Sequence, residues 1–191
     1  NNSTIPSLGG NIIMKDFLRR RGVKKYKDQA IEQEVLDSIL ENALVAPTST
    51  SRKLCEFIVI TDREILKQLS ACRDQRSQFL ADAPAAIVVL SETEVSDVWI
   101  EDLTIAAYTI QLAAYDEGLG TCWTQIRNRK RSNHESAEDY IKTILNIPDN
   151  YEVECIVALG YSDEEKEPYI RKETDCERIH INMYHDTSEM A

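Results

Sequence analysis

The chain reads as one α/β or α+β domain, a sheet packed between helices on both sides. Three observations lead there. Segments with apolar residues at helical spacing alternate along the chain with short β-branched runs. Those runs are almost wholly apolar, as expected of strands covered on both faces. And 191 residues, 42% of them hydrophobic, fill one core rather than two, with no internal repeat and no dividing linker.

In order, Asn1 to Ile13 carry Ser, Pro and Gly-Gly and read as a flexible leader or cloning remnant, with Met14 the expected native start. A single domain then covers 14–191. A short helix is expected over Met14 to Arg21, ended by Gly22 in the left-handed conformation usual after a helix. Val35, Leu36, Ile39, Leu40, Ala43 and Leu44 give a helix between Ile31 and Leu44, stopped by Pro47. Four hydroxyls follow, Thr48-Ser49-Thr50-Ser51, either a plain surface loop or a hydrogen-bonding lip for a polar ligand. Phe57 to Ile60 is a buried strand. Thr61-Asp62-Arg63-Glu64 is a capping box that starts a helix carrying Ile65, Leu66 and Leu69.

Ala85 to Leu90 forms the next strand. Asp97 to Glu117 is the longest helical pattern, and its alanines suit close approach of another helix, so it is the expected central helix and dimer seam. Gly118-Leu119-Gly120 turns into the strand Thr121 to Gln125. A charged loop, Arg127 to Arg131, precedes a helix from about Ser136 to Leu145 and a last strand from Val153 to Leu159. The tail beyond Gly160 is polar, with Ile170, Ile179, Ile181, Met183 and Tyr184 as isolated apolar anchors. A tail this long without structure of its own is suited to embracing a partner subunit.

Composition narrows the function. With 33 Asp and Glu against 22 Lys and Arg, the formal charge is −11, which argues against nucleic acid or anionic membranes as partners. No run approaches the roughly 18 apolar residues of a membrane span. Five scattered cysteines, without CxxC or zinc spacing, read as reduced thiols of a cytoplasmic protein. Against that acidic background, Arg19-Arg20-Arg21-Gly22-Val23-Lys24-Lys25-Tyr26-Lys27 concentrates six of the 22 basic residues in nine positions. Such a cluster is either a solvated helix end or a site for a specific anion, a phosphate above all, since Arg forks match its oxygens.

There is no P-loop, no GxGxxG, no GxSxG elbow and no HExxH, and no metal site is expected. His134, His180 and His185 lie late in the chain and read as surface or interface residues. Without a nucleophile and base, an enzyme built on this sequence needs a cofactor to carry its reaction. A flavin fits: phosphate for the basic cluster, ribityl hydroxyls for the Ser/Thr lip, and a ring needing aromatic cover.

At this point the motifs converge. Arg20-Arg21-Gly22-Val23-Lys24-Lys25-Tyr26, then Ala46-Pro47-Thr48-Ser49-Thr50-Ser51, then Glu56 to Asp62, Ala83 to Val89, Gly118 to Trp123 and Ala158 to Tyr161 together resemble the nitroreductase family of FMN-dependent oxidoreductases. The likeness runs from about Phe17 to Tyr184. It implies an α+β fold with a central, mostly antiparallel sheet of four to five strands flanked by helices, in an intertwined homodimer with two FMN sites at its interface. Carried over by position, Arg20, Arg21 and Gly22 would contact the phosphate and ribityl chain, and Lys24 the polar edge of the ring. Pro47, Thr48, Ser49 and Ser51 would reach the flavin of the other subunit. Trp123 and Thr124 would lie under the ring, with the Gln125 and Ile126 amides near N5 and O4, and Arg171, failing which Lys172, would complete the phosphate site.

The implied reaction is ping-pong hydride transfer from NADH or NADPH through FMN to an electron-poor small molecule such as a nitroaromatic or quinone, with no catalytic side chain. Other flavin chemistry of the same fold (dehalogenation, ene reduction) and non-catalytic FMN binding are the alternatives. This chain departs from the family's usual pattern at Gly22, where Ser is common, at Ser51, where Asn is common, and at Lys53-Leu54-Cys55 in place of Gln-Pro-Trp. Those changes bear on the rim of the site and on the substrate.

Overall fold

A computed structural model describes residues 19–49, 54–94, 96–132, 134–170 and 179–184. Four helices, α1 (Gln33–Leu44), α2 (Arg63–Leu69), α3 (Trp99–Asp116) and α4 (Ala137–Leu145), are interleaved with four strands, β1 (Glu56–Ile60), β2 (Ala85–Glu92), β3 (Gly120–Gln125) and β4 (Tyr151–Gly160). The strands form one sheet in the order β1-β2-β4-β3, and every neighbouring pair is antiparallel. This is the α+β alternative, with the helices on both faces.

The period-two pleat decides which residues meet which helices. On β2, Ile87 and Val89 join Cys155, Val157 and Leu159 of β4 under α1 and α3, against Ile39, Ala43, Leu103, Ala107 and Ile110. The alternate residues Ala86, Val88 and Leu90, with Val153, Ile156 and Ala158, face α2 and α4 through Leu66, Leu69 and Ile141. Most of these side chains are wholly buried, each worth roughly 1.5–3 kcal/mol for the larger aliphatics. β1 is an edge strand rather than a fully buried one, and Val59 remains 37% exposed.

Three local expectations change. Asp62, not Thr61, caps α2: its carboxylate accepts the Glu64 and Ile65 amides at 2.9 and 3.0 Å. Either residue type can cap, and the shift of one position follows from α2 beginning at Arg63. Gly22 does not close a helix in the left-handed conformation; among glycines, positive φ belongs to Gly118 (83°), which ends α3. Gly22 instead pairs with Thr121 in a parallel bridge, and Tyr26 bridges Ser162. The basic stretch thus lies along the outer edge of β3, with Val23 N–H donating to the Thr121 carbonyl at 2.8 Å. Of the predicted first helix, 14–18 lie outside the described residues. Finally, the small residues of α3 that suited a dimer seam, Ala106, Ala107 and Ala114, are buried within the chain itself. Ile105 and Tyr108 are the large apolar side chains that α3 leaves exposed, at 41% and 46%.

A bulge near the sheet's centre positions the end of β3. The pairing of β2 with β4 slips between Val89↔Cys155 and Leu90↔Val153, leaving Glu154 as the extra residue. Its carbonyl accepts the amides of Ile126 and Arg127, both at 3.1 Å.

Candidate functional site

The basic stretch, the turn into β3 and the first residues after β4 enclose a cavity of about 370 Å3. Arg19, Arg20, Arg21 and Val23 form one wall, Gly118 to Thr121 another, and Ser162, Glu164 and Lys166 the third. The close fit of chain to chain explains the glycine at 120: a Cβ there would stand 2.6 Å from Val23 Cγ2 and 2.7 Å from Val23 Cβ. Gly22, by contrast, has open space beside it.

The electrostatics of this cavity are cationic but partly answered from within. Arg21 lies 4.2 Å from the Tyr169 ring and donates to the Glu167 carbonyl. Lys166 reaches the Gly22 carbonyl and pairs with Glu164 at 3.1 Å. The Glu164 carboxylate accepts the Lys24 amide at 2.7 Å and the Lys25 amide at 3.3 Å. The Lys24 amide, and after it Lys166, hold that carboxyl below its ordinary pKa. Arg20 has no ion pair among the described residues and is half-buried at the cavity wall. Three arginines and a lysine line the cavity, while Glu164 holds the Lys24 and Lys25 amides, so the cationic side chains present fit the phosphate end of a flavin nucleotide.

One residue further along the basic stretch and two further along β3, the surroundings become aromatic. Lys24 and Trp123, the sequence-predicted ring contacts, line a second cavity of about 560 Å3 with Phe79. The Lys24 ammonium sits 5.6 Å from the Phe79 ring centre. Trp123 is held by a relay: its indole N–H donates to Gln125 Oε1 at 2.9 Å, and Gln125 Nε2 donates to Glu154 Oε1 at 2.9 Å. Thr124 is buried, and its hydroxyl has no hydrogen-bond partner. The expectation for Ile126 is corrected: its side chain is fully buried and its amide is taken by the Glu154 carbonyl, so it does not offer a donor to a ring.

The hydroxyl loop stands apart from both cavities. Ser49 turns back on α3, where its amide and hydroxyl donate to the buried Asp102 carboxylate at 2.8 and 3.1 Å. Pro47 and Thr48 precede it, and none of the three lines either cavity. Ser51 and Arg171, like Lys172, lie outside the described residues. The basic residue that the structure does bring to the first cavity is Lys166, which stands in the acidic run Asp163 to Glu167 and is not among the sequence-predicted site residues. Its signal was placement: it follows the last strand by six positions, close enough to fold back on the edge of β3.

Burial raises the pKa of Cys55 to about 11 and pushes Cys72, Cys122 and Cys155 upward as well, so none of these thiols is poised as a nucleophile.

Known proteins share this fold and sequence pattern. A structure titled as an FMN-dependent nitroreductase from Clostridium difficile R20291 superposes with a TM-score of 0.84 at 46% identity, covering 88% of this chain and 98% of that one. A protein of Archaeoglobus fulgidus, provisionally named NADH dehydrogenase/NAD(P)H nitroreductase, is 34% identical over 82% of this chain and 88% of its own length. The FMN reductase (NADPH) of Bacillus subtilis is 26% identical over 73% of this chain and 61% of its own. The nitroreductase family profile matches residues 18–72 and 71–161, and the chain belongs to that family.

Proposed function

We propose that this protein is an FMN-dependent oxidoreductase that passes hydride from NADH or NADPH to an electron-poor acceptor, a nitroaromatic or quinone, in two half-reactions at one site. The observation that carries this is the convergence of Arg20, Arg21 and Lys166 on one cavity, while Lys24, close after Arg21 in the sequence, and Trp123, close after Thr121, line a second with Phe79. Family membership and the FMN-linked names of the relatives support it.

FMN, when bound, supplies the ring that accepts and then gives up the hydride. The protein's own residues hold and shield. Arg20, Arg21 and Lys166 would bind the phosphate, and Lys24 would place a positive charge beside the ring's polar edge. Trp123, locked through Gln125 to Glu154, offers an apolar surface that excludes water. No described side chain is needed as an acid or base, because solvent can supply the proton.

The hydroxyl loop of Pro47 to Ser49 lies away from its own chain's cavities, which suits service to a second subunit's cofactor, and we include the homodimer in the proposal. The exposed Ile105, Tyr108 and tail residues Ile179, Ile181 and Met183 are apolar surface that such a dimer would cover. The test is anaerobic: protein reconstituted with FMN should be bleached by NADH or NADPH and regain its colour on addition of a nitroaromatic or quinone. Bound flavin that neither nicotinamide bleaches would contradict the proposal.

A further inference from the structure

The second cavity carries charges that flavin binding does not explain. Beside Lys24, its wall holds Arg73 and Arg76, and among the described residues no carboxylate lines it. Among the described residues neither arginine has an ion pair, although Arg63, Arg131, Lys142 and Lys166 all do. In a chain of charge −11, two arginines without acidic partners on one small wall stand out.

They are also held together at a cost. Ser77, fully buried, donates its hydroxyl to the Ser70 carbonyl at 2.7 Å and accepts the Arg73 amide at 3.1 Å. Gln75, between the arginines, adopts φ 50°, a conformation uncommon for a residue with a side chain. Arg131 staples this loop to the charged segment after β3: its Nε donates to the Ala71 carbonyl at 3.1 Å, while its guanidinium lies 3.9 Å from the Tyr140 ring centre and pairs with Glu135. Arg129 lies on the same segment, two positions before Arg131, and is exposed. Burial lowers the pKa of Arg73 first, and the like charges of Arg129 and then Arg76 lower it further. Two guanidinium groups on one wall, with the like charge of a third acting from the neighbouring loop, suit an anion that relieves the repulsion.

We propose that Arg73 and Arg76, supported by the charge of Arg129 on the neighbouring loop, form an anion-recognition subsite that selects redox partners carrying a compact oxyanion. The inference rests on the flavin reading for its redox role and deepens it by naming the substrate class. Two sources share the chemistry: the 2′-phosphate of NADPH, or a carboxylate on the electron acceptor. Either partner's ring would be faced by Phe79 and Trp123 while its charged group reaches the arginines.

The experiment compares wild type, Arg73→Gln/Arg76→Gln and Arg129→Gln, the last at an exposed position where a neutral side chain leaves the core untouched. Direct binding is read by calorimetry with adenosine 2′,5′-bisphosphate against adenosine 5′-monophosphate, and with 4-nitrobenzoate against 4-nitrobenzyl alcohol. Activity with flavin-loaded protein is read as kcat/KM for NADPH against NADH and for the same two acceptors. Wild type should favour the anionic member of one pair by roughly 10-fold to 100-fold, the effect of charge-assisted hydrogen bonds, and the double variant should lose most of that ratio with flavin retained. Loss confined to the bisphosphate and NADPH assigns the subsite to the 2′-phosphate; loss confined to 4-nitrobenzoate assigns it to the acceptor. Unchanged ratios in both variants, or release of flavin by the double variant, would overturn the subsite. A wild-type chain that discriminates among the calorimetric probes yet takes up no FMN would defeat the flavin reading alone.

Discussion

Gln125 donates its side-chain amide to the buried carboxylate of Glu154 at 2.9 Å, and the same amide's oxygen takes the Trp123 indole N–H at 2.9 Å. Glu154 is 5% exposed and its Oε2 has no partner among the described residues, where Gln125 supplies the side-chain hydrogen bond to its Oε1. Gln125→Ala should therefore leave a buried carboxylate undonated and cost about 1–3 kcal/mol, read as a lower urea midpoint. It should also shift the tryptophan emission, since Trp123 loses its partner. Glu154→Gln, which removes the charge and keeps the shape, should cost less than Gln125→Ala.

Glycines 120 and 22 should respond in opposite ways. At 120 a methyl would meet Val23 Cβ as well as its γ carbons, so the backbone itself must move. Gly120→Ala should cost about 1–3 kcal/mol and weaken FMN binding by at least about 10-fold as Val23 is driven from its place at the cavity wall. At 22 there is room. Gly22→Ser, which restores the hydroxyl usual in the family, should leave the melting temperature unchanged and tighten FMN binding by roughly 2-fold to 10-fold, as one hydrogen bond allows. A flavin fluorescence titration measures both.

Glu164 gives the first cavity a pH dependence. Its folded-state pKa lies below the ordinary 4.5, chiefly through the Lys24 amide, so its stabilising bonds are fully present above pH 4.5 and are lost as the pH falls through the folded value. Thermal melts from pH 3 to 7 should show wild type losing stability at the acid end relative to Glu164→Gln, which cannot make that loss. Because the same carboxylate competes with phosphate for the Lys24 and Lys25 amides and for Lys166, Glu164→Gln should also bind FMN more tightly at pH 7.

The architecture was legible wherever a local pattern had one solution. Ile87 and Val89 on one face of β2 and Val88 and Leu90 on the other follow from an apolar run with helices before and after it, and every strand and helix from Gln33 onward appears within a few residues of its expected place. What could not be read was local in sequence but decided by distant partners. Gly22 looked like a helix stop because nothing nearby announces its bridge to Thr121, 99 positions away. Glu154 looked like one more strand residue, since a bulge depends on how β2 and β4 are registered. Lys166 was hidden in an acidic run, and its value appears only when the chain after β4 folds against the basic stretch.

The dimer offers a separate check. Ile105 and Tyr108 are the exposed apolar positions of α3, and Ile105→Asp/Tyr108→Asp should convert a dimer into monomers in sedimentation at micromolar concentration. If the hydroxyl loop serves the partner's cofactor, that variant should lose flavin as well, with its circular dichroism unchanged. A wild-type monomer carrying a full complement of flavin would contradict the shared site.

The account turns on the basic stretch holding a phosphate, and the most direct measurement is an FMN titration of wild type beside Arg20→Ala/Arg21→Ala, with folding checked by circular dichroism. Wild type should bind FMN stoichiometrically, and the folded double variant should bind at least about 100-fold more weakly, as expected for two charge-assisted contacts. Equal flavin occupancy in the two proteins would contradict it.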